Sequence, residues 1–425
     1  MPHRTRISTL VLLFVGALSC ITCQSERTKV LDKEGSESTQ QADIKVGAKV
    51  LIQEHLDELD GRNIGLVMNP TARVDGVHML DTLIALGLPV KALFAAEHGF
   101  RGSQGAGEII QDGLDEATGL PVFSLYGATK KPSVQMLKEI DVLLFDMQDV
   151  GARFYTYNST MKYVIEAAAE QGIEVWILDR PNPLGGDYVA GWVLEPEYNS
   201  FVGTYPIPIA HGLTLGELAQ MALGEDWYET DAKVNLRVIP MSGWQREMKW
   251  NDTQLEWVPP SPNLPTFEHA YAYIGTCFFE GTTLSEGRGT DHPFLMMGGE
   301  SSSVNDDVSL WSNHGVRLQP TQFTPVSIPG KALRPKGEGL LLNGILWENA
   351  LEHPDPLTVG LRMMQWLMEH SPEAAYKDYL YLLAGTDKID ALSRSRINLK
   401  TDSLDIDWGS NFESFREKRR NYLLY

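Results

Sequence analysis

From about residue 46 the chain repeats one pattern, a short apolar run followed by a longer segment with apolar residues at helical spacing. The runs fall at 64–68, 91–95, 122–125, 141–145 and 174–178, with helical stretches at 77–86, 133–140 and 159–171. Apolar strands with no polar face must be covered on both sides. When amphipathic helices separate such strands, the strands pair mainly in parallel. Thr214 and Glu217 have capping-box spacing and open a further helix to about residue 223, and a last strand is expected at 236–240. The segment Val258-Pro259-Pro260-Ser261-Pro262-Asn263-Leu264-Pro265-Thr266 holds four prolines in nine residues, which neither a helix nor a central strand tolerates. It marks the expected boundary between an α/β domain over 46–262 and a smaller α/β domain over 263–425. The smaller one carries Gly-rich loops and a late helix at 356–369.

A chain of 425 residues with 43% hydrophobic residues can build two such cores. Its formal charge of -20 argues against a nucleic-acid partner and requires that any anionic substrate meet a local group of Arg or Lys. At the start, Arg4 and Arg6 precede an apolar run at 10–18 that is too short to cross a bilayer. Residues 1–22 are therefore expected to be a secretory signal of lipoprotein type, acylated at Cys20 or Cys23. The polar stretch 23–45 is expected to be a flexible tether. This places the protein in the cell envelope, periplasmic or outer-membrane associated, touching a membrane only through the lipid. Cys277, the remaining cysteine, is expected as a buried small hydrophobe.

The expected strand ends are rich in ionisable groups. The run at 91–95 leads into Glu97-His98-Gly99-Phe100-Arg101-Gly102, and that at 141–145 into Asp146-Met147-Gln148-Asp149-Val150-Gly151-Ala152-Arg153. The run at 174–178 leads into Asp179-Arg180-Pro181-Asn182-Pro183. Ligands of open parallel sheets bind beyond the carboxyl ends of the strands. These groups therefore either share a site or pair with one another to hold loops. Glu97 stands between an apolar strand and the Gly-rich loop 99–107, where partial burial would raise its pKa and suit it to general-acid work. A second cluster runs from Glu280 through Ser285, Glu286 and Arg288 to Thr290, spaced by three glycines, and suits a sugar bearing hydroxyls and a carboxylate. The aromatic run Phe154-Tyr155-Thr156-Tyr157 either flanks sugar rings or packs the core. No Gly-x-Gly-x-x-Gly, Walker loop, Gly-x-Ser-x-Gly or His-Glu-x-x-His is present. His98 and His211 with Asp146 or Asp149 match no standard metal spacing.

These motifs, with Asn69-Pro70-Thr71, Ser124-Leu125-Tyr126-Gly127, His211-Gly212, Pro260-Ser261-Pro262-Asn263 and Pro293-Phe294, resemble in order the NamZ-type exo-β-N-acetylmuramidases over about residues 46–425. The resemblance implies a Rossmann-like N-terminal domain, a smaller C-terminal domain and a site in the cleft between them. It implies release of N-acetylmuramic acid from the non-reducing end of peptidoglycan fragments, with no nucleotide cofactor. The family's motif glutamate falls on Glu97, although Ala95-Ala96 stand before it where Ala/Ser-Pro is expected. The second catalytic group is open among Glu280, Glu286, Asp146 and Asp149, with Tyr126 and Tyr157 behind them. Arg101, Arg153 or Arg288 is expected to hold the lactyl carboxylate by a bidentate contact. His98, Asp179, Arg180, Asn182, His211, Ser261, Asn263 and Ser285 complete the expected substrate contacts. Two other classes fit the same residues: a surface sugar-binding lipoprotein without turnover, and a metal- or phosphate-dependent hydrolase.

Overall fold

The computed structural model describes residues 43–101, 112–304 and 306–425. The signal segment, Cys20, Cys23, nearly all of the tether and the part of the Gly-rich loop after Arg101 lie outside the described residues. Residues from 42 onward form one compact unit.

Six parallel strands make the central sheet: β1 (Ile64–Met68), β2 (Val90–Ala95), β3 (Pro121–Ser124), β4 (Val142–Asp146), β5 (Glu174–Leu178) and β6 (Leu236–Ile239). Their order is β3-β2-β1-β4-β5-β6, with the short strand Gly113–Leu114 antiparallel on the outer edge of β3. The chain thus steps outward from β1 to β3, returns, and steps outward the other way from β4 to β6. This is the Rossmann order, with its switch point between β1 and β4. Met68 lies level with Ala95 on one side and Asp146 on the other, so the loops after β1, β2 and β4 leave the sheet at one height.

Side chains alternate across the strands. Leu66, Met68, Leu93, Leu144, Trp176 and Leu178 face α1 (Gly47–Glu54) and α2 (Met79–Ala85). Val67, Phe94, Phe145, Val175 and Ile177 face α3 (Tyr157–Glu170) and α4 (Leu215–Gly224), in a core that continues into the second half of the chain. This two-sided burial is why the strands read as unbroken apolar runs. The capping box at Thr214 and Glu217 forms as its spacing predicts. Two helices are shorter than expected. Val77–His78 pairs with Arg73–Val74 as a small ribbon, so α2 begins only at Met79, where His78 accepts the amide of Leu80. The stretch at 133–140 holds a single turn, Val134–Leu137.

The later chain adds an antiparallel sheet of β7 (Met296–Gly299), β8 (Leu318–Phe323) and β9 (Leu342–Trp347), with β9 in the middle. It also adds the packed pair α5 (Phe267–Thr276) and α6 (Pro356–Glu369). These helices touch backbone to backbone at Gly275 and Gly360, because a Cβ on Gly275 would lie 2.2 Å from the Pro356 carbonyl oxygen.

Candidate active site

Beyond β2 the chain passes through Glu97 and turns sharply, with His98 at φ 73° and Gly99 at φ 82°. Two left-handed residues in succession reverse the backbone, at a cost of about 1 kcal/mol for the non-glycine one. The turn leaves the Glu97 side chain partly exposed at the sheet's carboxyl edge while His98 is buried. The start of α3 holds Glu97 in place. The Thr156 hydroxyl donates to Glu97 Oε2 at 2.9 Å. The Tyr157 hydroxyl donates to the Pro260 carbonyl at 2.6 Å and reaches the Glu97 carbonyl at 3.4 Å. The aromatic run is therefore split in use. Phe154, Tyr155 and Tyr157 are core rings, and Thr156 between them meets the acid.

The second cluster is a compact charge network. Glu280 sits in the short helical turn Cys277–Gly281, and its Oε1 accepts both Nη2 and Nε of Arg288, at 2.7 and 3.2 Å. Arg288 also lies 3.5 Å from the Glu286 carboxylate and over the ring of Phe294, 4.9 Å from its centroid. Glu286 is nearly inaccessible and pairs with Lys336 at 2.9 Å. Lys336 also donates to the carbonyls of Phe279 and Leu284, at 2.7 and 2.9 Å. Burial opposes the charge of Arg288, but Glu280 and Glu286 outweigh it and hold the guanidinium protonated. Gly287 and Gly289 permit the loop itself. Both have left-handed φ, and Cβ atoms there would meet the Met296 and Val326 carbonyls at 2.5 and 2.6 Å.

The two clusters meet at Tyr126, in the loop after β3. Burial raises the pKa of its phenol first. The Glu97 charge and a hydrogen bond to that carboxyl add to the rise, as does the Glu280 charge, while Arg288 opposes it. Tyr379, at the start of the helix Tyr379–Ala384, is raised by burial and then by Glu280, with Cys277, Glu97 and Tyr126 contributing. The charges of Glu97, on the loop after β2, and of Glu280, from the later chain, therefore act on the same two phenols. Lys336 and Tyr379 carry no motif signal, so sequence reading missed them.

Other expected site residues make their hydrogen bonds within the fold, although Asp149 Oδ2, Arg153 Nε, His211 Nε2 and Asn263 Oδ1 are buried with no hydrogen-bond partner among the described residues. Asp146, wholly inaccessible, takes a bidentate contact from Arg180 at 2.5 and 3.0 Å. Together with Thr71, whose hydroxyl accepts the Gln148 amide at 2.8 Å, this pair occupies the switch point where a Rossmann sheet would receive a ligand. Asp149 accepts the Gly151 amide at 2.7 Å, and burial pushes its carboxyl up to about 7. Asp179 accepts from Thr214 Oγ1, Gly216 N and the Tyr425 hydroxyl at 2.6, 2.9 and 2.7 Å, with burial raising it to about 6. Arg153 is not a carboxylate clamp. Its guanidinium is buried and donates to the carbonyls of Trp192, Ile207 and Leu383. Arg101 is committed to Asp115 and Asp81, at 2.6 and 3.0 Å. Asn182 bonds Leu213 and Leu184. His211 accepts the Leu213 amide, and burial lowers it to about 3. Ser261 accepts the amide of Asn263, whose side chain donates to the Lys331 carbonyl, and Ser285 accepts the Gly287 amide. These contacts stabilise loops around the site. Among the described residues, no group of three or more His, Cys, Asp or Glu is arranged to hold a metal ion.

The chain matches the family models for exo-β-N-acetylmuramidase NamZ, the N-terminal one over residues 64–268 and the C-terminal one over 271–425. It is 38% identical over 393 residues to a peptidoglycan β-N-acetylmuramidase NamZ of Bacillus subtilis, covering 90% of this chain and 91% of that one. Two crystal structures of DUF1343 family proteins from Bacteroides fragilis superpose with TM-scores of 0.73 and 0.76. They are 33% and 32% identical, and each comparison covers 90% of this chain and 99% of the other.

Proposed function

The chain belongs to the NamZ exo-β-N-acetylmuramidase family, and from that premise we propose that it is a glycosidase releasing N-acetylmuramic acid from the non-reducing end of peptidoglycan fragments, with Glu97 as proton donor. The observation that carries this reading is the junction at Tyr126, whose phenol bonds Glu97 within the field of Glu280 and Arg288. Glu97 gives its proton to the glycosidic oxygen as the leaving sugar departs. Thr156 fixes the rotation of that carboxyl by donating to Oε2.

Positive charge then develops on the muramyl ring and calls for a second carboxylate. Glu280 fits better than Glu286. Its side chain is one-fifth exposed and lies in the field of Tyr126, whereas Glu286 is enclosed between Lys336 and Arg288. Arg288 is one-fifth exposed too and is the cation placed to meet the lactyl carboxylate. Glu97 lies in the stretch matched by the N-terminal family model, residues 64–268, and the Glu280–Arg288 pair in that matched by the C-terminal one, residues 271–425.

A chromogenic β-N-acetylmuramide tests the reading. Glu97→Gln should lower turnover by about 10²-fold or more, and normal turnover in that variant would remove Glu97 from the role. A wild type that binds the muramide without releasing chromophore would make the protein a sugar-binding module. We further place it in the cell envelope as a lipoprotein acting in wall turnover, on the strength of its amino-terminal sequence. Cys20→Ala with Cys23→Ala should move it from the membrane to the soluble fraction.

A further inference from the structure

Beyond Tyr126 the aromatic surface continues. Its ring lies 6.3 Å from that of Phe201, and Phe201 lies 6.1 Å from Tyr163 with the two planes only 5° apart. The three rings come from separate segments: the loop after β3, the turn closed by the Ser200–Gly203 bridge, and the second turn of α3. All three are partly exposed, unlike Phe154, Tyr155, Tyr157 and Tyr273, which pack the core beside the same site. The ammonium of Lys130 lies 4.6 Å from the Phe201 centroid and makes no ion pair among the described residues. Its neighbour Lys131 is spent on Glu170 at 2.7 Å.

We infer that Tyr126, Phe201 and Tyr163 form the subsite for the leaving part of the glycan, with Lys130 meeting a carboxylate on that part. The inference rests on the muramidase reading. A pyranose ring presents a face of C–H groups that packs on an aromatic face, and rigid rings lose little conformational entropy on binding. The line begins at the phenol that touches the proton donor, so a chain whose terminal sugar sits at Glu97 would carry its following rings along it. Peptidoglycan fragments bear carboxylates on their lactyl and peptide groups, which complement Lys130.

The test compares an aryl β-N-acetylmuramide, whose leaving group is one small ring, with a muramic-acid-terminated oligosaccharide. For Phe201→Ala and Tyr163→Ala, the ratio of kcat/KM on the oligosaccharide to kcat/KM on the aryl glycoside should fall about tenfold, mainly through KM. Phe201→Trp should retain the wild-type ratio. Lys130→Met should lower the ratio only for leaving parts that carry a carboxylate. An unchanged ratio in Phe201→Ala and Tyr163→Ala would overturn the subsite while leaving the muramidase reading intact. A wild type that cleaves neither substrate would remove both.

Discussion

Lys336 offers the sharpest test of how the later chain presents Glu280. Its ammonium lies 2.9 Å from the Glu286 carboxylate as an ion pair and donates to the carbonyls of Phe279 and Leu284. Phe279 immediately precedes Glu280, so one cation ties the turn that holds Glu280 to the buried acid. Lys336→Met removes all three contacts and leaves Glu286 with Arg288 alone, 3.5 Å away and shared with Glu280. Breaking a buried ion pair costs about 3–5 kcal/mol. Lys336 is about one-fifth exposed and Arg288 remains, so the lower end applies and about 3 kcal/mol of stability should be lost. That leaves a folded protein if total stability is about 5–15 kcal/mol. Activity should fall further than stability suggests, because a shift of about 1 Å in a reacting group can cost about 10²-fold. Urea unfolding and muramide turnover on the same preparations read both effects, and Lys336→Arg should recover part of each. In the double variant Lys336→Met with Glu286→Gln no carboxylate is stranded, so it should be at least about 1 kcal/mol more stable than the sum of the single losses predicts. Strict additivity, or a Lys336→Met protein with wild-type midpoint and kcat/KM, would refute the reasoning.

Asp149 should make stability pH-dependent. Its folded value of about 7 lies above the ordinary value near 3.9, so the folded state holds this proton more tightly. The resulting stabilisation is complete below about pH 4 and is lost as pH rises through 7, by up to ~4 kcal/mol. Asp149→Asn should flatten that part of the pH profile in denaturant unfolding, and an equal difference from wild type at pH 5 and pH 8 would contradict it. Arg153→Met strands the carbonyls of Trp192, Ile207 and Leu383 and should cost about 2–4 kcal/mol. It should leave the preference for muramic acid over N-acetylglucosamine glycosides unaltered, whereas Arg288→Lys should weaken that preference. Competition between the two chromogenic glycosides decides both.

The central sheet was legible because its inner strands β1, β4 and β5 are buried on both faces and so read as unbroken apolar runs. Strands at 64–68 and 174–178, the capping box at Thr214 and the helix from Pro356 form where the sequence places them. What sequence could not separate was a charged strand end left partly exposed from one that pairs with another strand end. Glu97, Asp146 and Asp179 look alike as acids following apolar runs. Asp146 stands at the height of Met68 beside β5, where Arg180 reaches it, and Asp179 meets the cap of α4 and the last residue of the chain. Those partners lie up to 246 residues away, so no local pattern encodes them.

The same pairing explains where the site lies. At the switch point between β1 and β4, a Rossmann sheet usually leaves a crevice with free amides for a phosphate. Here Thr71, Gln148 and the Asp146–Arg180 pair use the polar groups of that crevice on one another. The exposed acid is one strand to the side, after β2, where the left-handed turn at His98 and Gly99 breaks the strand direction. A carboxyl there can face only what lies across from it. The charges that act on the Tyr126 phenol are those of Glu97 and of the Glu280–Arg288 pair of the later chain. The Rossmann sheet of this glycosidase thus spends the polar groups of its switch point on one another, and its partly exposed acid lies beside that point, with Tyr126 under the charges of residues that the sheet does not supply.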